Sequence, residues 1–423
     1  MKIVHAADLH VDSPLRGLDR YEGAPAERLR GATRRALENL VALCLEVKAD
    51  VLLLAGDVFD GGWRDFSTGL FFAAQMSRLR EAGVPVMLVR GNHDAASAVV
   101  KNLQLPANVR VFEHKKAHSV ELPNAPIVVH GQSFSERIMS EDLAAKYPPR
   151  VPGRFNVGLL HTSIDGREGH APYAPTSLET LRSKGYDYWA LGHVHAREIV
   201  STDPYVVYPG NLQGRHARET GAKGASVVTV EDNVVIEVEH RALDVVRWEV
   251  VGVDVAGVSE VMEVVDLVRA ALVERGAACD DRILAARVML TGATRANSAI
   301  RRDLERFVSE LRAAANDALP DGIWLEKVLV RTTAKIDLDR VRQEESAVGH
   351  LARRIEALRE DPKELAALAA CLVDLDKKLP PELRDDADAP LRFADPEAVR
   401  ALLADVEQML VPRLLEGAPG SDG

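Results

Sequence analysis

Val51-Leu52-Leu53-Leu54-Ala55-Gly56-Asp57-Val58-Phe59-Asp60 is the stretch that decides the fold. Five apolar residues run without interruption and then give way to a glycine and a carboxylate. A strand with one wet face alternates apolar and polar residues; an unbroken apolar run suits a strand buried on both faces, as in an α/β sheet. Just before it, Leu29–Val47 carries apolar side chains at 29, 32, 36, 37, 40, 43, 44 and 47, which is helical spacing. Working outward, β-rich runs recur at Lys2–Ala7, Val84–Gly91, Ile127–Gly131, Val157–His161 and Tyr188–Gly192, alternating with helical segments and turns. From Tyr205 to His240 the pattern becomes strands and turns such as Glu231-Asp232-Asn233. Residues 1–245 therefore read as one α/β domain.

Residues 246–335 read strand (Arg247–Val253), helix (Ser259–Arg275), strand (Ile283–Leu290), helix (Ser298–Ala315), strand (Ile323–Arg331). That is a small β-α-β-α-β module. Residues 336–423 carry no clear strand signal. Helical spacing appears at Val341, Val348, Leu351, Ile355 and Leu358, in the run Leu365–Val373, and at Val399, Leu402, Leu403, Val406 and Leu410. A proline-containing stretch from Leu379 to Pro390 separates the last helix from the others, and residues 417–423 are expected to fray.

The composition bounds the function classes. The 423 residues are 47% hydrophobic and 28% charged, a globular profile that excludes wholesale disorder. No apolar run approaches the roughly 18 residues of a membrane helix, so no membrane role is expected. The start Met1-Lys2-Ile3-Val4-His5 enters a strand-like segment without the apolar region of a signal peptide. Cys44, Cys279 and Cys371 lie far apart, which fits neither a disulfide framework nor thiolate metal spacing. A reducing cytoplasm is the expected location. The net charge of -11 is concentrated in the tail: from Ile336 onward there are 12 Lys+Arg against 20 Asp+Glu. The body is nearly balanced, which neither supports nor excludes a local basic groove.

Five short motifs follow apolar, strand-like runs, in the order Asp8-Leu9-His10; Gly56-Asp57-Val58-Phe59-Asp60; Gly91-Asn92-His93-Asp94; His161 in Leu159-Leu160-His161-Thr162; and Gly192-His193-Val194-His195. Strand ends are where α/β proteins usually place their sites. Asp, His and Asn supply oxygen and imidazole nitrogen without thiolate, a mixture suited to Mn²⁺, Fe or Zn²⁺. There are too many donors for one ion, because a catalytic site commonly uses about three protein ligands. Two ions sharing one carboxylate account for the surplus, and such a pair, about 3.5–4 Å apart, polarises a phosphoryl group from both sides. In Asp-x-His and His-x-His, alternate residues of an extended chain point the same way, so each pair is expected to face one ion. Any one motif alone is better read as a turn or a core histidine; the ordered set of five is not. His5, His114, His118, His170, His240 and His350 belong to no motif and read as structural or surface residues. His130 and His216 are intermediate.

This order of motifs resembles the calcineurin-like metallophosphoesterases over residues 1 to about 240. The opening His5-Ala6-Ala7-Asp8-Leu9-His10-Val11-Asp12-Ser13-Pro14 is similar to the bacterial SbcD-like DNA repair exonucleases of the YhaO-like branch. So is Tyr208-Pro209-Gly210-Asn211-Leu212-Gln213-Gly214-Arg215-His216, followed by Glu219, Gly221, Lys223 and Gly224. The resemblance implies an α/β fold: a two-sheet sandwich flanked by helices, with a small capping domain and a helical C-terminal segment. It implies that Asp8, His10 and His195 bind a first metal, that Asp57 bridges, and that Asn92, His161 and His193 complete a second. His93 would stand beside the scissile phosphate and Asp94 would orient it, with a metal-activated water as nucleophile. Two divalent ions, Mn²⁺ first among candidates, are the implied cofactors.

One position departs from the pattern. Archaeal and eukaryotic relatives read Gly-Asp-x-Phe-His, whereas this chain has Asp60 in place of the histidine. An ionised Asp60 cannot donate a proton at neutral pH. The histidine's contribution is then absent or supplied elsewhere, which bears on the balance of exo- and endonuclease activity. The protein-phosphatase pattern Gly-Asp-x-x-Asp-Arg-Gly is broken here by Gly61-Gly62 after Asp60. Arg16, Arg20, Arg64, Arg137, Arg215 and Arg218 flank the motifs and are candidates for phosphate contact. With so few basic residues, the chain alone is expected to bind DNA weakly. The resemblance implies an SMC-like coiled-coil ATPase partner docked by the tail helices, and a homodimer. A metal-dependent DNA exonuclease is the reading that results; the competitors are a small-nucleotide phosphodiesterase or phosphatase and a non-catalytic DNA-end-binding scaffold.

Overall fold

The run Val51–Ala55 is a strand whose five residues are all buried. Its side chains separate by parity, as a pleated strand requires. Leu52 and Leu54 join Val4, Ala6, Val86 and Leu88 in one core, together with Ala36, Leu37, Leu40, Phe72 and Met76 from helices Ala32–Glu46 and Phe66–Glu81. Val51, Leu53 and Ala55 join Ile3, Met87 and Val89 in a second core, which also takes in Ile127, Val129, Val157, Leu159 and Ala190 of another sheet. One strand thus faces helices on one side and a second sheet on the other.

The computed structural model describes residues 1–13, 29, 31–60, 66–96, 103–164, 174–384 and 391–417. The strands in chain order are β1 (Lys2–Ala6), β2 (Val51–Ala55), β3 (Val86–Val89), β4 (Val109–Val111), β5 (His118–Glu121), β6 (Ile127–Gly131), β7 (Phe155–His161) and β8 (Tyr188–Gly192). There follow β9 (Glu198–Thr202), β10 (Tyr205–Tyr208), β11 (Gly224–Glu231), β12 (Val234–Ala242), β13 (Val246–Asp254), β14 (Ile283–Thr294) and β15 (Ile323–Ala334). The first sheet has the order β12-β11-β1-β2-β3-β4, with β1 to β4 parallel and β11 and β12 antiparallel. The second has the order β5-β6-β7-β8-β10-β9, with β6, β7, β8 and β10 parallel and the two edge strands antiparallel. The outer face of the second sheet buries Leu160, Trp189, Leu191, Val206 and Tyr208 against Leu181 of the helix Leu178–Ser183. The layers therefore run helix, sheet, sheet, helix, the two-sheet sandwich expected from the sequence.

Strands β13, β14 and β15 form a third sheet in that order. Helix Val261–Ala277 connects the first pair, and helices Asn297–Arg302 and Leu304–Ala318 connect the second. The sequence predicted one helix over Ser298–Ala315. It breaks because Asp303 leaves helical geometry (φ -139, ψ 70) and accepts a hydrogen bond from the Arg306 N–H at 3.1 Å, capping the second helix. The tail is helical: Leu338–Gln343, Ala347–Glu360, Pro362–Lys378, Pro381–Arg384 and Pro396–Gly417. Buried Glu407 pairs with Arg342 at 2.8 Å and Arg359 at 3.4 Å, joining three of these helices. By compactness the chain forms two units, Met1–Val250 with Arg275–Arg287 and Leu319–Glu326, and Val251–Glu274 with Val288–Ala318 and Lys327–Gly423. Among the described residues, no helix is long and apolar enough to cross a membrane.

The β7–β8 pairing places Gly158 directly opposite Trp189, and a Cβ on Gly158 would overlap the indole ring. Gly158→Ala is expected to cost about 1–3 kcal/mol by overpacking. Gly252→Ala, where nothing lies within 4 Å of the added carbon, should stay within about 0.5 kcal/mol of the parent. Urea unfolding monitored by tryptophan fluorescence compares the two.

Candidate metal centre

Every ligand-type side chain of the five motifs stands at or just beyond the carboxyl end of a parallel strand. Asp8 and His10 follow β1, Asp57 follows β2, Asn92 and His93 follow β3, His161 ends β7, and His193 and His195 follow β8. Pairing between the first two loops continues past the strands: the N–H groups of Asp8, His10 and Val11 donate to the carbonyls of Gly56, Asp57 and Val58 at 3.0, 3.0 and 2.9 Å. Glycines then let these loops pack closely, Gly56 and Gly192 between the sheets and Gly91 within the first. A Cβ on Gly56 would lie 2.5 Å from the His161 ring, one on Gly91 would overlap the Asp57 carboxylate, and one on Gly192 the Ala55 carbonyl. The glycine before each ligand is therefore a packing requirement rather than a turn preference alone.

The backbone at the ligands is not extended. Asp8 (φ 51), His10 (φ 43), Asp57 (φ 52) and His193 (φ 101) all have positive φ, at a cost of order 1 kcal/mol or more each. The expectation that Asp-x-His and His-x-His act as strand-like pairs is corrected on this point. Left-handed turns aim these side chains, and the two members of the His-x-His pair diverge.

Among the described residues, three groups of donor atoms result, each with its members within 4.8 Å of one another: Asp8 with His10 and His195, Asp8 with Asp57 and His161, and His10 with Asp60 and His93. Asp8 is the carboxylate common to the first two, where the resemblance implies Asp57 as the bridge. In the first, His10 Nε2 and His195 Nε2 are 3.4 Å apart, and His195 Nε2 is 3.7 Å from Asp8 Oδ1. In the second, His161 Nε2 is 3.5 Å from Asp57 Oδ2 and 3.0 Å from Asn92 Oδ1. The His193 ring lies against His161, centroids 5.2 Å apart, and its backbone N–H donates to Asp8 at 2.9 Å. The structure thus brings all seven expected ligands to one locality.

His93 and Asp94 behave differently from expectation. Asp94 does not orient His93. Its carboxylate accepts the backbone N–H groups of Val58 (3.2 Å), Phe59 (2.9 Å) and Gly91 (3.2 Å), tying the β2 and β3 loops together. The carboxylate at His93 is that of Asp60, 3.1 Å from Nδ1. The same Asp60 oxygen accepts from His10 Nδ1 at 2.8 Å. The residue that replaces the family histidine therefore links a first-group ligand to the histidine beside it.

Burial sets the charges. It pushes the Asp8 carboxyl up to about 7, opposed by His195 and reinforced by Asp57. Asp94 is likewise pushed to about 7 by burial, with Asp57 adding to the effect. Burial lowers His10 to about 4 and His161 to about 3, so both rings are neutral near pH 7. Their Nδ1–H groups are committed to Asp60 and to the Ala55 carbonyl (2.9 Å), which leaves the Nε2 lone pairs facing inward. Neutral imidazoles with inward lone pairs, beside buried carboxylates that burial disfavours as anions, fit divalent cations. At Asp60, burial would raise the carboxyl, but the His10 and His93 hydrogen bonds more than reverse it and hold it well below the usual range. At His93 the Asp60 hydrogen bond outweighs burial and raises the imidazole above its ordinary value.

Sequence reasoning assigned no role to Glu219, which lies 2.7 Å from His195 Nδ1 and 3.0 Å from Arg215 Nη2. Both residues stood in a motif quoted above, but nothing in the spacing ties position 219 to 195. Of the candidate phosphate-contacting arginines, Arg215 is thus partnered at the site, Arg137 and Arg218 are exposed, and Arg16, Arg20 and Arg64 lie outside the described residues. His5 and His130 are core histidines: His5 contacts the Tyr188 hydroxyl (3.0 Å) and the Leu191 carbonyl (3.2 Å), and His130 contacts Ser119 and Asn156.

This fold with this donor set is that of a metallophosphoesterase domain. Residues 1–197 match the family model described as calcineurin-like phosphoesterase, and residues 248–333 match that of the metallophosphoesterase YhaO middle domain. The chain carries a calcineurin-like metallophosphoesterase domain. The metallophosphoesterase YhaO of Bacillus subtilis (strain 168) is 37% identical over 261 residues, covering 60% of this chain and 63% of that protein. The DNA double-strand break repair protein Mre11 of Methanopyrus kandleri is 27% identical over 235 residues, covering 50% of this chain and 48% of that protein. The chain spans less than two thirds of the length of either relative. A solved dimetal phosphatase from Danio rerio aligns over 54% of this chain and 92% of its own at 12% identity, with a TM-score of 0.33.

Protons compete with metal for Asp8, and only above about pH 7 is its carboxylate free. Mn²⁺ affinity measured by calorimetry should rise by about tenfold per pH unit below that point and level off above it, with about one proton in all, from Asp8, released at pH 6. His10 and His161, lowered by burial to about 4 and about 3, add no slope there. An affinity unchanged between pH 6 and 8 would contradict the burial of Asp8.

Proposed function

We propose that the chain is a metal-dependent DNA exonuclease that hydrolyses phosphodiester bonds in DNA repair. The observation that carries this reading is the pair of donor groups sharing Asp8, with His93 beside them and held toward its protonated form by Asp60. Asp8, His10 and His195 would hold a first divalent ion and Asp57, Asn92, His161 and His193 a second, with Asp8 within reach of both groups. This oxygen and nitrogen set suits Mn²⁺, Fe or Zn²⁺, and Mn²⁺ is the first candidate. Bound ions of this kind polarise the phosphoryl group and activate a water.

The protein's own groups do the rest. His93, whose protonated form the Asp60 hydrogen bond favours, would stabilise the developing negative charge and protonate the leaving oxygen. Asp60 stays ionised, so it takes the histidine's place as an anchor for His93 and not as an acid. Asp94 acts at one remove, by fixing the loops that carry Asp57 and Asn92. The DNA substrate is supported by the likeness to a protein described as a DNA double-strand break repair protein. In this reading residues 1–245 form the nuclease domain, 246–335 a capping domain, and 336–423 a tail that docks an SMC-like coiled-coil ATPase. The protein works as a homodimer in the cytoplasm.

Digestion of an end-labelled linear duplex in Mn²⁺ tests this. The wild type should release nucleotides from the ends, and His93→Ala should lose about 10²- to 10⁴-fold in rate with Mn²⁺ binding intact. Cleavage of free nucleotides alone would make the protein a small-nucleotide phosphodiesterase. Binding of DNA ends without cleavage would make it a scaffold.

A further inference from the structure

The segment Pro209–Lys223, to which the chemistry above assigns no step, closes around His195. Its imidazole and its backbone carbonyl are held from separate directions. Glu219, 7% exposed, accepts the Nδ1–H at 2.7 Å. The His195 carbonyl accepts from Lys223 Nζ at 2.9 Å and from the Asn211 N–H at 3.3 Å. Gly210, at φ +81, passes so close that a Cβ there would lie 3.1 Å from the same carbonyl oxygen.

Glu219 is itself fixed. One oxygen accepts from Asn211 Nδ2 and from the Arg215 N–H, both at 2.8 Å. The other is shared by His195 Nδ1 (2.7 Å) and Arg215 Nη2 (3.0 Å); Nη2 is also 3.2 Å from Nδ1, but the carboxylate oxygen is nearer to both. An arginine–carboxylate pair made only for stability has no need of the imidazole. Here the carboxylate is oriented by neighbours on both oxygens so that one lone pair meets the His195 Nδ1–H. With that proton committed, the Nε2 lone pair is the one that faces Asp8 and His10.

We propose that Glu219 is the positioning residue of His195. It selects the Nδ1–H tautomer and holds Nε2 as a ligand atom of the first ion, while Arg215 and Asn211 hold Glu219. This rests on the two-ion reading given above. It singles out one of the two ion sites, because Glu219 contacts no member of the Asp57–His161 group among the contacts described.

The test is Mn²⁺ titration of the full metal-free chain, followed by electron paramagnetic resonance of free Mn²⁺ and by calorimetry. Wild type, Glu219→Ala, Glu219→Gln and the exposed control Glu237→Ala are compared. Glu219→Ala should weaken one of the two affinities by about 10- to 100-fold and leave the other unchanged. Glu219→Gln keeps a neutral acceptor for Nδ1–H and should lose about threefold to tenfold at the same site. It carries the test if the alanine variant does not fold. Glu237→Ala should match wild type. Wild-type affinities at both sites in the Glu219 variants, or an equal fall at both sites, would overturn the assignment. Wild-type protein that takes up fewer than two ions would overturn the two-ion reading instead, and that result needs no variant.

Discussion

The centre depends on how closely the two sheets approach at their carboxyl ends. Gly56 and Gly192 carry no side chain where one would strike His161 or the Ala55 carbonyl of the facing sheet, and Gly91 none where one would strike Asp57 on the neighbouring strand's loop. That approach puts Asp8, Asp57 and the neutral imidazoles of His10 and His161 into one buried locality. Burial disfavours the Asp8 anion, and its neighbour Asp57 makes matters worse. A cation relieves both. The positive φ values of Asp8, His10, Asp57 and His193 are strain of the kind that persists where surrounding structure over-determines a site.

The sandwich was legible because its central strand had to be apolar on both faces. Val51–Ala55 shows this directly: even-numbered residues meet helices, odd-numbered ones the second sheet. The seven ligand-type residues were legible for a related reason. Parallel strands end at one rim, so polar residues placed just after apolar runs collect there whatever the length of chain between them. Spacing along the sequence does not determine which donors share a group. The extended-strand rule fails at Asp8, His10 and His193 because the chain has already turned.

The supporting residues were the less legible part. Asp94 sits next to His93, and adjacency made it the natural orienting group. It lies in the short helix Asn92–Ala96, where its carboxylate meets backbone N–H groups instead. In the sequence Asp60 is a carboxylate where relatives place a histidine. In space it accepts from His10 and contacts His93, so one charge serves a ligand and its neighbour. The contact between Glu219 and His195 spans 24 residues and crosses two strands, and no periodicity encodes it. The break at Asp303 escaped the helical pattern for a local reason: the apolar spacing continues across a residue whose side chain prefers to cap.

Crystals of the protein grown with Mn²⁺ and measured at the manganese edge would test the central claim most directly. Two anomalous peaks about 3.5–4 Å apart are expected, one beside His10 and His195 and the other beside Asn92 and His161, with a carboxylate between them. A single peak, or two peaks too far apart to share any carboxylate, would contradict it.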